Sequence, residues 1–200
     1  MHMESHMDKQ RIIDNAKAYV IEAFKGNSGG HDAEHTMRVY RNAMLIAKDE
    51  NIEDTFSIAL GALLHDVDDY KLFNTVNNQN ARDFMKENSV GDKDIDRICQ
   101  IINEVSFSKN KDRKPSSIEA MIVQDADRLD ALGAIGIART FSFGGEHGRS
   151  LSNNVAHFHE KLLLLKDLMN TDTAKALAQD RHDYMVGFLR RLAEETGDNC

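Results

Sequence analysis

Two places in this chain put charge where an apolar helix would otherwise continue. His65 and Asp66 close the run "ALGALL", and Asp125, Asp127 and Asp130 interrupt "IEAMIV…ALGAIGIA". A buried carboxylate is costly unless it is paired or bound to a cation. Two apolar helices that each deliver acids into a core therefore suggest a common cation, with Asp127 and Asp130, three apart, on one helix face. The plainer account makes the three later acids a surface cluster salt-bridged to Arg128. In the same account His65 is a satisfied core histidine beside a helix-end aspartate.

A third stretch, "HDAEH" at residues 31–35, has the H-x-x-E-H spacing of an inverted zinc-protease helix. Asp32, however, suits the N-cap of the following helix, which leaves His31 outside it. That reading also gives the acids of the other two helices no purpose. His182-Asp183 lies in an amphipathic stretch and reads as a solvated face. His157 and His159, two apart, point to different faces of a helix, so at most one of them reaches a site.

These residues need elements to hold them, and the periodicity is helical throughout. Helices are expected over 8–24, from Asp32 to about Asn51, over the "SIALGALLHD" segment capped by Asp54 or Thr55, and near 77–88. "DIDRICQIINEV" follows with its isoleucines on one side, and then the basic loop Lys109 to Lys114. Pro115, Ser116 and Glu119 read as a capping box that opens one long apolar helix, "SSIEAMIVQDADRLDALGAIGIART". The loop "SFGGEHGRS" would separate it from two amphipathic helices at about 152–169 and 172–195.

Composition agrees with an all-α fold. The 200 residues suit a single domain, placed at 9–196 after a disordered start or cloning remnant at 1–8. Hydrophobic residues make up 41% and aromatics 6%, with no Trp and one Pro, which favours helix over strand. The net charge of −8, from 25 basic and 33 acidic residues, argues against a nucleic-acid surface. No apolar run approaches the roughly 20 residues that span a bilayer. Two distant cysteines, Cys99 and Cys200, argue against a disulfide framework and set a cytoplasmic location as the expectation. An apolar helix face could be core or the surface of a homodimer.

Taken together with His35, the pattern resembles the HD superfamily of metal-dependent phosphohydrolases, whose fold is an all-α helical bundle. The carrying residues are His35 in "HDAEHTMRVYRNAMLIA", His65 and Asp66 in "ALLHDVDDYK", and Asp127 in "VQDADRLDALGAIGIART". The resemblance covers about residues 10 to 195. It is strongest to a small bacterial branch with nucleotide pyrophosphohydrolase activity, which "SFGGEHGRSLSNNVAHFHEKLLLLKDLMNT" also resembles. It implies that His35, His65, Asp66 and Asp127 are the ligands of one divalent metal. Residues 67–126 contain no histidine, against a conventional two-metal site.

Two imidazoles and two carboxylates suit Mn, Fe, Co, Ni or Zn, with Mg also considered. An octahedral ion would keep positions for water and a phosphoryl oxygen. Asp69 stands where a related nucleotidase branch has a glutamate, and it could orient the attacking water or take its proton. Asp130 is expected to support the ligands from behind. Lys71, Arg38 and Arg139 are the candidate phosphate partners. The expected substrate is a phosphorylated small molecule, a nucleoside triphosphate cut to monophosphate and pyrophosphate. A nucleotidase releasing orthophosphate and a metal- or nucleotide-binding module without turnover are the competing readings.

Overall fold

The same alternation of apolar runs and turn residues that predicts helices produces them. The computed structural model describes residues 2–26, 32–106, 110 and 114–197, with side chains described from residue 7 onward. His31, Cys200 and most of the basic loop lie outside the described residues. Among the described residues the chain is helical, without a strand: α1 (His2–Ala23), α2 (Ala33–Asp49), α3 (Phe56–Leu64), α4 (Gln79–Glu87), α5 (Asp92–Val105), α6 (Ile118–Leu129), α7 (Gly133–Glu146), α8 (Leu151–Glu160), a 3-10 helix (Leu162–Leu168) and α9 (Asp172–Thr196). Among the described residues no helix is long and apolar enough to cross a membrane. Contacts gather in two compact units, Met1–Asp127 and Arg128–Cys200.

In the first unit α3 is the central element. All nine of its residues are buried, as its unbroken apolar composition requires, and α1, α2 and α5 pack around it. Full burial of Leu60, Leu63 and Leu64 contributes about 1.5–3 kcal/mol each. Gly61 lets α5 approach, because a Cβ there would stand 2.8 Å from Ile101 Cγ2. Thr55 occupies the N-cap of α3, but the Asp54 carboxylate does the capping, accepting from Phe56 N at 3.2 Å. Helix α1 extends back to His2, through the stretch read as a disordered start.

Three boundaries differ from the sequence expectation. The long helix divides: α6 ends at Leu129 and α7 begins at Gly133, whose φ of +70° is a conformation that favours glycine. The capping box at Ser116 does not form. Ser116 is instead bonded to Glu104 at 2.8 Å, Glu119 pairs with Arg97, and Ser117 Oγ accepts from Ala120 N at 3.2 Å. Most of "SFGGEHGRS" is the end of α7 rather than a loop. Its glycine is tolerated in the helix for packing: a Cβ on Gly144 would overlap the Asn154 amide of α8. The helix expected at 152–169 changes to 3-10 geometry after Lys161.

In the second unit α7 packs on α8 and α9, and the 3-10 helix on α8 and α9. Phe158, fully buried, meets Phe141 with ring centroids 5.9 Å apart. Thr171 caps α9 by accepting from Ala174 N at 3.3 Å, and Gly197 ends it in the left-handed conformation.

Candidate metal centre

Three helices of the first unit bring the centre together. Asp32 is the N-cap of α2, and its Oδ1 accepts the His35 backbone N–H at 2.7 Å. That bond fixes the first turn of the helix and with it the buried His35 side chain. His65 is the C-cap of α3, and Asp66 follows it directly. Asp127 comes from α6. Asn42 Nδ2 of α2 donates to Ala126 O at 3.3 Å, and Gln124 Nε2 donates to Glu104 O at 2.8 Å, the carbonyl lying near the end of α5. These two amides tie α6 to its neighbours on either side of the acid.

His35, His65 and Asp127 each offer a ligand atom, and the three atoms lie within 4.8 Å of one another. Asp66 Oδ2 is 3.6 Å from His35 Nε2 and 3.3 Å from His65 Nε2; Asp127 Oδ1 is 3.4 Å and 3.9 Å from the same nitrogens. An ion that reaches nitrogen and oxygen donors at about 2.0–2.2 Å holds them roughly 3–4 Å apart, so these spacings fit a common cation. The side chains are 2%, 3%, 11% and 25% exposed for His35, His65, Asp66 and Asp127. The imidazoles thus form the closed back of the site, and Asp127 faces its opening.

A second observation supports the fit. His65 Nδ1 stands 2.9 Å from Ala62 O, which places Nε2 on the side of the acids. That Nε2 is buried without a hydrogen bond, although Asp66 is 3.3 Å away. A buried polar atom normally has a partner, and a cation would supply one. Burial alone would lower the His65 pKa, but the charges of Asp66 and Asp127 raise it from 6.5 to about 9. Burial would likewise push the Asp127 carboxyl up, yet the two imidazoles hold it below the usual carboxylate range.

The remaining sequence candidates fall in different settings. Asp69, half-buried, follows Asp66 by one tight turn, with its N–H donating to Asp66 O at 3.0 Å. Its Oδ1 accepts from Lys71 N at 2.8 Å. Lys71 is exposed, with Nζ 5.9 Å from the Tyr70 ring centroid. Arg38 lies 3.8 Å from Glu34, one helical turn away. In the second unit Asp130 is buried and takes Arg139 Nη1 at 2.6 Å, and Arg181 Nη1 donates to Leu129 O at 2.6 Å. The surface-cluster account of the later acids is not what the structure has: Asp125 and Asp130 are buried. The Arg128 guanidinium donates to Leu168 O. His157 is half-buried and His159 exposed.

One residue that sequence reasoning missed is Asp68. Its two oxygens accept from Thr75 Oγ1 at 2.6 Å, Asn80 N at 2.9 Å and Ala81 N at 3.0 Å. It fastens the segment that follows the His-Asp pair to the start of α4, where a carboxylate is favoured by the helix dipole. Only an acid eleven residues ahead of the helix start at Gln79 could have signalled it, and local spacing carries no such mark.

Residues 32–132 match the HD domain family. The chain is 40% identical over 197 residues to the Bacillus subtilis protein YpgQ, covering 94% of this chain and 96% of that one. The crystal structure of YpgQ in complex with ADP superposes with a TM-score of 0.82 at 37% identity, covering 94% and 96% of the two chains. An HD-superfamily hydrolase from Bacillus thuringiensis is similar at a TM-score of 0.79 and 37% identity, over 96% of this chain and all of that one (100%). This chain belongs to the HD superfamily and is a metal-dependent phosphohydrolase of that type.

Proposed function

We propose that this protein hydrolyses a nucleoside triphosphate to the monophosphate and pyrophosphate, using one divalent ion held by His35, His65, Asp66 and Asp127. The observation that carries the metal assignment is the buried, unbonded Nε2 of His65 facing two carboxylates and a second imidazole. Two observations support the nucleotide. The segment from "SFGGEHGRS" to "KDLMNT" resembles the small bacterial pyrophosphohydrolase branch, and YpgQ was crystallised with ADP.

A divalent ion in such a site supplies Lewis acidity and brings bound water towards a neutral pKa. The chain's own residues do the rest. With Oδ1 of Asp69 engaged by Lys71 N, its other oxygen is assigned to the attacking water, to orient it and take its proton. The water oxygen bonds to the α-phosphorus while the α–β bridging bond breaks, and the bridging oxygen leaves with pyrophosphate. Lys71 and Arg38 are assigned to phosphate oxygens. Arg139, braced by the buried Asp130, is a third cation for the same role. A cytoplasmic location, where nucleotides are plentiful, belongs to the same proposal.

The test is a screen of nucleoside triphosphates with Mn, Mg, Co, Ni and Zn on metal-stripped protein, with the products identified. Monophosphate and pyrophosphate in equal amounts are expected. Orthophosphate would replace the proposal with a nucleotidase. Tight nucleotide binding without turnover under every metal would replace it with a binding module.

A further inference from the structure

The carboxylate of Asp68 caps a helix to which it does not belong. The first N–H groups of any helix lack partners within it. In α4 the cap residue Asn78 does not meet them: it is left-handed at φ +55°, as Asn77 is at +56°, and its side chain makes no cap bond. Asn78 Nδ2 donates instead to Asn103 Oδ1 at 3.0 Å. Asp68 takes over, with Oδ1 accepting from Asn80 N at 2.9 Å and Oδ2 from Ala81 N at 3.0 Å. Asn80 returns the bond, its Nδ2 donating to Val67 O at 2.7 Å. Thr75 Oγ1 adds a third bond to Asp68 Oδ1 at 2.6 Å. Val67 and Asp68 are thereby clasped to the start of α4.

The clasp closes a loop that carries Asp69 and Lys71. Within the loop Asp69 O accepts from Leu72 N at 3.0 Å and Phe73 N at 2.9 Å, and Asp69 Oδ1 accepts from Lys71 N at 2.8 Å. Phe73 anchors the far side against Phe24, with ring centroids 5.8 Å apart. On the near side Asp69 N donates to Asp66 O at 3.0 Å. The peptide that joins Asp68 to Asp69 is therefore held from both sides, and it cannot turn while the Asp68 side chain is pinned. Bonds to an ionised acceptor are about twice as strong as neutral ones, and a carboxylate is favoured at a helix N-terminus. We infer that Asp68 is a positioning residue for the reaction, acting through the loop to hold Asp69 and Lys71 in place. What Asp69 and Lys71 then do rests on the hydrolytic reading above; the clasp rests on its own hydrogen bonds.

The test has two arms. Amide hydrogen exchange in the metal-stripped, full-length protein needs neither substrate nor turnover. A local cap would release only Asn80 and Ala81, whereas a positioning clasp also protects residues 69–73. D68A is expected to speed exchange at 69–73 at least about tenfold, the scale of lost bonds to a charged group, with α3 and α5 unchanged. T75V, which removes one of the three bonds, should act in the same direction by a smaller factor, and it carries the test if D68A does not fold. The second arm is nucleoside triphosphate hydrolysis at saturating manganese. D68A should lower kcat about a hundredfold, the cost of a small misplacement at a reacting centre. D68N keeps one oxygen for Thr75 and Asn80 and should recover about tenfold of that loss. Manganese affinity should stay within about twofold of wild type in both variants, because the ligand set does not include Asp68.

Unchanged exchange at 69–73 in folded D68A or T75V overturns the proposal. So does wild-type kcat in folded D68A, or a kcat loss matched by an equal loss of manganese affinity, which would mark a general structural role. Absence of turnover in wild type under every metal would sink the hydrolytic reading and, with it, a part for Asp68 in hydrolysis; the exchange arm would still decide whether the clasp holds the loop.

Discussion

His65 shows how much one side chain decides at this site. Its Nδ1 is turned to Ala62 O and its Nε2 to the acids. In metal-stripped protein the Asp66 and Asp127 charges outweigh burial and raise its pKa from 6.5 to about 9. A metal binds the neutral imidazole, so the proton must leave first. Manganese affinity is therefore expected to rise about tenfold per pH unit towards pH 9 and to level above it. Stability of the stripped protein should run the other way: the contribution of protonated His65 is full below 6.5 and is lost as pH rises through about 9. Calorimetric manganese titrations at several pH values check the first trend, and a flat response would remove His65 from the ligand set. Residues of this kind were legible because a histidine and an acid closing an apolar run are conspicuous. Asp68 was not, because it sits among neighbouring acids and its partners Thr75, Asn80 and Ala81 come together only through the fold.

Among the elements, α3 carries the most. Its end supplies His65 and Asp66, and its depth in the core depends on Gly61 meeting Ile101 of α5. G61A should force these helices apart, at a cost of about 1–3 kcal/mol, and should weaken metal binding by moving the His-Asp pair. A lowered urea midpoint with an unchanged slope would record the first effect; an unchanged midpoint would show that Ile101 gives way freely. The apolar runs of α2, α3 and α5, and the Asp32 cap, were readable because periodicity and capping are local. The division of α6 from α7 was not. The sequence from Ile118 to Thr140 is apolar enough to continue, but Gly133 takes a positive φ, Arg181 caps the Leu129 carbonyl that ends α6, and Asp130 is buried against Arg139. Helical order in "SFGGEHGRS" was hidden for a related reason: Gly144 reads as a breaker but serves a close approach to Asn154.

At the scale of the whole molecule, an acidic all-α chain gathers its few informative charges in a small number of places. The first unit holds the centre in which two buried imidazoles meet two carboxylates. The second holds the buried Asp130–Arg139 pair. The HD family match over residues 32–132 explains why such a site exists; the substrate that it serves depends on pocket shape, which no motif encodes. The central claim is that hydrolysis runs through a metal that needs Asp66. The direct measurement is nucleoside triphosphate hydrolysis by wild type and D66A after metal stripping and manganese add-back. Wild type is predicted to recover its activity and D66A to recover none; full activity in D66A would contradict the account.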